Sequence, residues 1–357
     1  MRHKTIVLAI GAALAASAAH ADVDLMAKEV QIYGKLHVSA DYYDLGSATG
    51  ATNNSTGGEL TSNSSRIGFK GEKKFSDNLS GIWMFESTID VSGESGTLSA
   101  RNRYLGLTGP GGTLKAGIHD TPFKDMLGYT MFGDTVGDSR NILGQLSNGT
   151  NLFNVRAASM IRYELGLGGF NGSLEYSPDA KGTTTPDSAG NNYAVTSLSL
   201  GYKIGGLDIA GAYEKQDNIS NVNNANANGY RIGVKYKIAD LTVGGIYEGL
   251  TDDGYGARVE RNAYGVNVAY KISGITLAGQ YLKADTSGIG NDGASNYSVG
   301  AYYDLAKSAQ IYGVYSSIKN DTAAAYVLGN DGHGTKYAPA ATGETVKAIS
   351  VGMAYSF

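Results

Sequence analysis

The feature that most constrains this chain is a period of two. From Val30 to Tyr42, the residues Val30, Ile32, Gly34, Leu36, Val38, Ala40 and Tyr42 share one parity. Gln31, Tyr33, Lys35, His37, Ser39 and Asp41 share the other. The end of the chain repeats the pattern, with Ile349, Val351, Met353, Tyr355 and Phe357 set against Ala348, Ser350, Gly352, Ala354 and Ser356. Such alternation belongs to β-strands whose two faces meet different surroundings. It marks sixteen segments: 30–43, 65–76, 79–91, 101–109, 113–120, 155–165, 169–177, 193–204, 207–217, 228–238, 241–250, 260–272, 274–285, 295–304, 308–319 and 346–357.

The connections alternate in length. Short turns such as Asp77-Asn78, Gly205-Gly206, Ala239-Asp240 and Ser273-Gly274 are followed by long polar loops rich in Gly, Asn, Asp, Ser and Thr. Two packed sheets would need large apolar side chains on both inner faces. Here the second face carries Lys35, Arg66, Lys70, Glu72, Glu86, Arg101, Lys115, Arg162, Glu214, Lys235, Lys237 and Lys283. A charged inside and an apolar outside is the pattern of a transmembrane β-barrel. A ten-residue strand tilted ~45° climbs ~23 Å, close to the ~25 Å apolar band of such barrels. Closure is obligatory, because each unpaired backbone group in hydrocarbon costs several kcal/mol. Sixteen strands enclose a lumen too wide for side chains to fill, so water is expected inside.

Tyrosines toward strand ends, among them Tyr33, Tyr42, Tyr104, Tyr163, Tyr176, Tyr202, Tyr213, Tyr236, Tyr247, Tyr270, Tyr281, Tyr302, Tyr312 and Tyr355, fit aromatic girdles at the membrane interfaces. The first 21 residues read as a cleaved secretory signal, with Arg2, His3 and Lys4 before an apolar run from Ile6 to Ala16 and the small-residue site Ala19-His20-Ala21. Residues 22–357 then form one barrel domain. Removing Arg2 and Lys4 takes the 29 basic side chains to 27 against 33 acidic ones, which argues against a nucleic-acid partner.

Other chemistries find little support. There is no cysteine, which excludes disulfide scaffolds and thiolate metal sites. After the signal only His37, His119 and His333 remain, each on a different segment and without a metal or nucleophile motif, so no catalytic residue, metal or cofactor is assigned. A barrel-based adhesin or receptor, with a plugged lumen, and an outer-membrane enzyme, with a convergent Ser and His, are the competing readings.

Several stretches resemble the general diffusion porins of the Gram-negative outer membrane: Ile32-Tyr33-Gly34-Lys35, Ser65-Arg66-Ile67-Gly68-Phe69-Lys70-Gly71-Glu72, Arg101 to Leu107, Gly112 to Gly117, Asp120-Thr121-Pro122-Phe123 and the terminal Phe357. The resemblance spans essentially the whole mature chain. It implies a trimeric, all-β, sixteen-stranded antiparallel barrel with long extracellular loops, short periplasmic turns and an inward-folded third loop. That loop is 121–154, the longest segment between strands, with Phe132-Gly133-Asp134-Thr135 similar to the family's loop motif.

The resemblance further implies that Asp125, Asp134 and Asp138 face a basic wall of Lys35, Arg66 and Arg101. Arg156 is a further member, and Arg103, Lys115 and Arg162 lie on the same faces, with Glu86 as an acidic counterpart. Phe357 would serve as a signal to the barrel-assembly machinery. Two positions depart from the family pattern: Met131 stands where a glutamate is common, and Gly117-Ile118 where Gly-Arg is common. The expected function is passive diffusion of ions and small hydrophilic solutes through a water-filled channel in the outer membrane, among lipid and lipopolysaccharide. A substrate-selective porin preferring phosphate or organic anions is the alternative.

Overall fold

A computed structural model of the chain describes residues 23–24, 29–47, 55–93, 98–146, 152–182, 192–219, 225–253, 258–288 and 290–357. The signal expected over residues 1–21 lies outside them. A two-residue strand, β1 (Val23–Asp24), precedes β2 (Gln31–Asp44), β3 (Thr56–Ser62), β4 (Arg66–Ser76), β5 (Leu79–Thr88), β6 (Ser99–Gly109), β7 (Gly112–Asp120) and β8 (Arg156–Leu167). Then come β9 (Phe170–Ser177), β10 (Ala194–Ile204), β11 (Leu207–Asp217), β12 (Ala227–Ile238) and β13 (Leu241–Asp252). The last five are β14 (Val259–Ile272), β15 (Ile275–Ala284), β16 (Ala294–Ala306), β17 (Ala309–Asn320) and β18 (Thr345–Ser356).

From β4 onward each strand pairs antiparallel with the next, and β18 returns to β2 with Lys347 opposite Asp44 and Ser356 opposite Lys35. The backbones of Gly34 and Phe357 exchange hydrogen bonds of 2.9 and 3.1 Å at the base of this seam. β3 and β4 act as one wall strand: β3 pairs with Val38–Asp44 of β2, and β4 with Gln31–Lys35. The break falls at Asn63-Ser64-Ser65, where the His37 carbonyl accepts from Asn63 N and Ser65 Oγ. With β3 and β4 counted as one and the two-residue β1, which pairs with Gln31 and Ile32 of β2, set aside, the described strands make a closed wall of sixteen.

Thr56–Ser62 lies outside the sixteen segments that alternation marks, in the connection between the first and the second. Its pairing with β2 holds it extended. Two-residue turns join β4 to β5, β6 to β7, β8 to β9 and so on to β16 and β17, as the sequence leads one to expect.

Burial follows parity. Along β14, Arg261, Ala263, Asn267 and Ala269 are buried, while Tyr264, Val266, Val268 and Tyr270 are exposed on the outer wall. Apolar side chains outside are stable only against lipid or another apolar surface. Outer tyrosines line up in register, with Tyr213 opposite Tyr230, Tyr247 opposite Tyr264 and Tyr281 opposite Tyr297, giving a girdle on one side of the barrel. Tyr33 and Tyr312 do not join it: both are buried inside, bonded to Glu86 and His37 respectively.

One irregularity changes the wall. A register shift between β5 and β6 sets Phe85 opposite Arg103 but Ser87 opposite Ala100. A matching shift between β7 and β8 lies at Gly117, where φ is +145° and an added Cβ would meet the Arg103 carbonyl oxygen at 2.2 Å. Only glycine occupies that backbone region without strain. Gly117→Ala is expected to destabilise the barrel by at least about 1–3 kcal/mol, read as a lower urea midpoint of the refolded protein in detergent micelles.

Candidate functional site: a polar cavity between an inserted loop and the barrel wall

After β7 the chain turns into the lumen. Thr121 caps a one-turn helix, α1 (Pro122–Asp125), accepting from Lys124 N at 3.3 Å, with Pro122 at its first position. Two 3₁₀ turns follow, Met126–Tyr129 and Ser139–Asn141. Phe123, Met126, Phe132, Val136, Ile142, Leu143 and Phe153 are buried between the loop and the wall. The wall accepts them because it is small there: a Cβ on Gly233 would meet the Tyr129 ring, and one on Gly300 the Phe132 ring.

Wall side chains hold the loop backbone. Ser197 Oγ accepts from Phe123 N at 3.0 Å, Asn267 Nδ2 donates to Tyr129 O at 2.9 Å, and Gln280 Oε1 accepts from Met131 N at 2.8 Å. The firmest anchor is Glu248, fully buried, which pairs with Arg231 at 2.6 Å and Arg261 at 2.7 Å and accepts from Gly144 N at 3.0 Å. Arg231 also donates to Phe123 O and Asn154 Oδ1 of the loop.

Between the loop and the opposite wall lies a polar cavity of about 340 Å³. Its charged lining is Arg101, Lys124, Arg140 and Arg156 against Asp120, Asp134 and Asp331, with Ser64 and Asn154 completing it. Arg101 Nε pairs with Glu86 at 2.5 Å, and Arg66 reaches the other Glu86 oxygen at 3.5 Å. Asp120 takes Lys124 at 2.8 Å and Arg156 at 3.1 Å. Lys35 and Asp134 form a bridge of 3.2 Å, the direct contact between the loop acid and the basic wall.

Asp134 also binds Arg140 at 2.9 Å. Burial opposes its ionisation, but Lys35 and Arg140 beside it prevail and hold the carboxyl well below the usual carboxylate range. A depressed carboxylate stabilises the fold above its unfolded value and loses that contribution only as pH falls through the lower folded value. The difference in urea stability between wild type and Asp134→Asn is therefore expected to stay constant from about pH 7 to about pH 4. A difference that already shrinks across this range would refute the assignment.

Other expected members stand elsewhere. Asp138 is buried within the loop, capping Arg140 N at 2.8 Å and pairing with its guanidinium, so it is a cap rather than a cavity acid. Asp125 turns to the wall and pairs with Arg162 at 2.7 Å. Arg162, Lys115, Glu164 and Glu175 form an ion network under the loop attachment, away from the cavity lining.

Arg103 corrects an expectation more sharply. The register shift reverses its parity, so it faces outward beside exposed Leu105, its guanidinium 4.2 Å over the Phe85 ring and bonded to Ser87 Oγ at 2.9 Å. Met131 is buried against the wall, and Phe357 lies at the seam, its ring beside Gly34.

Lys124, Arg140 and Asp331 carry no signal in the sequence that marks them as site residues, and Asp120 stands there only as part of the Asp120-Thr121-Pro122-Phe123 stretch. The family resemblance points to the loop's acids alone, although Lys124 and Arg140 lie one and two residues from Asp125 and Asp138. The barrel thus places cations on both sides of the cavity, and the loop carboxylates are largely neutralised at their own positions.

The comparisons agree with this architecture. The sequence model of the Gram-negative porin family matches residues 5–323, and the chain belongs to that family. Its place is the outer membrane. Among curated relatives, major outer membrane protein P.IB of Neisseria gonorrhoeae is 27% identical over 165 residues, 45% of this chain and 44% of the relative. The Neisseria sicca protein of the same name is 39% identical over 75 residues, 21% of each chain. The match thus spans less than half the length of these relatives.

Among solved structures, an anion-selective porin from Comamonas acidovorans superposes with a TM-score of 0.76 at 22% identity, covering 92% of this chain and 99% of that one. The trimer form of Vibrio cholerae OmpT gives 0.68 at 17% identity, covering 92% and 99%. These likenesses bear on the fold.

Proposed function

We propose that this protein is a passive channel for ions and small hydrophilic solutes, with a preference for anions. The observation that carries this reading is the polar cavity between the loop and the wall, whose charged lining is four cations to three carboxylates. Charges lining a narrow wet passage bias which ions enter it, with Lys and Arg favouring anions. Arg101 and Arg156 supply positive charge from the wall, and Lys124 and Arg140 supply it from the loop. An anion crossing meets cations on either hand, while Asp134 is occupied by Lys35 and Arg140. No bond is made or broken in such a passage, and the driving force is the solute gradient.

The Comamonas relative, described as anion-selective, favours the same sign. The working form is a homotrimer. The Vibrio relative is described as a trimer, and Arg103 gives a physical reason. A charge facing lipid is destabilising, by up to about 2–4 kcal/mol depending on depth, so its outer face is better covered by a second copy. Lipopolysaccharide around the outer rim and recognition of Phe357 during assembly complete the expected partners.

Single-channel recording of the purified protein in a planar bilayer tests the reading. Stepwise openings in groups of three, with a reversal potential of anion sign in a salt gradient, are expected. Folded, inserted protein without conductance would overturn the channel. A cation-sign potential would overturn the selectivity alone.

A further inference from the structure

The loop joining β17 to β18, residues 321–344, also enters the lumen. Three of its apolar residues, Ala324, Tyr326 and Leu328, are fully buried. At its base Asn320, the last residue of β17, braces both legs: its Oδ1 accepts from Tyr326 N at 2.8 Å, and its Nδ2 donates to Glu344 O at 3.0 Å. Leu328 and Tyr337 then exchange backbone hydrogen bonds of 3.1 and 2.9 Å, so residues 329–336 form a lobe closed at its neck.

That lobe is held on two sides. On the inserted loop, Asn330 N donates to Asn141 Oδ1 and Asn330 Nδ2 to Arg140 O, each at 3.0 Å. Just outside the neck, Tyr326 OH donates to Leu146 O at 3.0 Å. On the wall, Ser64 Oγ donates to Gly332 O and Gly334 N to Asn63 Oδ1, each at 2.9 Å. Tyr337 stacks on the Tyr43 ring at 4.7 Å and donates to Asp41 at 3.0 Å. A connection with buried apolar side chains and a backbone bonded on both flanks is a fixed part of the lumen rather than a fraying loop.

At the tip Asn330, Gly332 and His333 are buried, and Asp331 is the exposed residue among them. It lines the polar cavity. Gly332 passes so close to Arg140 that an added Cβ would sit 1.9 Å from Nη2.

We propose that residues 329–336 are a second constriction element, which narrows the passage beside the inserted loop and sets the largest solute that crosses. This rests on the channel reading above. The lobe reaches from Arg140 and Asn141 on the inserted loop to Asn63 and Ser64 on the wall, and so occupies space that those two surfaces would otherwise leave to water. Its effect is steric and falls on neutral and charged solutes alike. The charges it brings, Asp331 and Lys336, are paired with each other at 3.3 Å.

The neck supplies the test. Leu328 and Tyr337 are already paired antiparallel, so replacing residues 329–336 by Asn-Gly joins them through a two-residue turn and leaves the flanking chain in place. The readouts are single-channel conductance in a planar bilayer and swelling of proteoliposomes in neutral mono-, di- and trisaccharides. The shortened protein is expected to conduct at least about twofold more than wild type, as an obstruction in the passage is removed. Its trisaccharide rate should approach its monosaccharide rate, whereas wild type should separate the two.

A second variant needs no shortening. The chain has no cysteine, so Asp331→Cys offers a single thiol at an exposed tip position. A neutral methanethiosulfonate added to the folded channel should react there, as read by mass, and lower the current. If the shortened protein fails to fold, this variant decides. Wild-type conductance and sugar rates in the shortened protein would overturn the inference while leaving the channel intact. So would a D331C thiol that does not react, or that reacts without lowering the current. Absence of conductance in every folded form would overturn the channel reading itself.

Discussion

Neutralising Arg101 and Lys124 together is expected to turn the ionic preference of the channel from anions to cations. The cavity lining holds four cations and three carboxylates, and the double variant Arg101→Gln with Lys124→Gln would leave two against three. Neither change strands an acid: Glu86 keeps Arg66, and Asp120 keeps Arg156. In wet surroundings a unit charge at ~7 Å contributes about 0.6 kcal/mol, roughly halved by screening at ~0.1 M salt. Two charges acting oppositely on anions and cations then change the permeability ratio by roughly five- to tenfold. Reversal potentials in a potassium chloride gradient measure this directly. A ratio unmoved by the double variant would place the selectivity somewhere other than this cavity.

Glu248→Gln is expected to have the largest effect on the inserted loop. Glu248 stands between two fully buried guanidinium groups, Arg231 and Arg261, and also holds the backbone of Gly144. Breaking a buried ion pair from one side leaves an uncompensated charge and costs about 3–5 kcal/mol. The barrel wall has its own ladder of hydrogen bonds through β12, β13 and β14, so the loss falls on the loop. The variant should keep its barrel mobility on gels, yet conduct more and with noisier current as residues 121–154 leave the wall. A quiet channel of wild-type conductance would show that the loop is seated by its apolar side chains alone.

What could be read from sequence follows from which property repeats. Strand positions and closure repeat along the chain as alternation and turn spacing, so the wall was legible almost to its ends. Parity is only as good as the register. A shift at Phe85 and Ser87 moved Arg103 from the inside to the outside, and no residue type announces that shift. Glycine at 117 could have hinted at it, since it marks the matching irregularity between β7 and β8, two strand pairs along.

The site was legible in parts. Lys35 opposite Asp134 and Arg101 beside Glu86 were named among the wall and its counterparts, whereas the role of Asp138 as a cap depends on local backbone geometry. Loop 321–344 carried a usable signal in Tyr326-Val327-Leu328. Apolar residues in a long polar connection have to be buried against something, and here that something is the inserted loop.

The seam between β18 and β2 has a consequence for the order of events in biogenesis. Ser356 pairs with Lys35 and Phe357 with Gly34, so the closing contacts join residues more than three hundred positions apart. Until β18 arrives, β2 and the growing front both present bare strand edges, which hydrocarbon penalises at every unpaired group. Hairpins can form early from neighbouring strands, but insertion of a half-built wall gains nothing. Translocation of the chain must therefore run ahead of membrane entry, and the unfinished polypeptide must be kept from pairing with its neighbours in the meantime. A chain arrested before Thr345 should accumulate on the water side of the membrane rather than as a smaller pore.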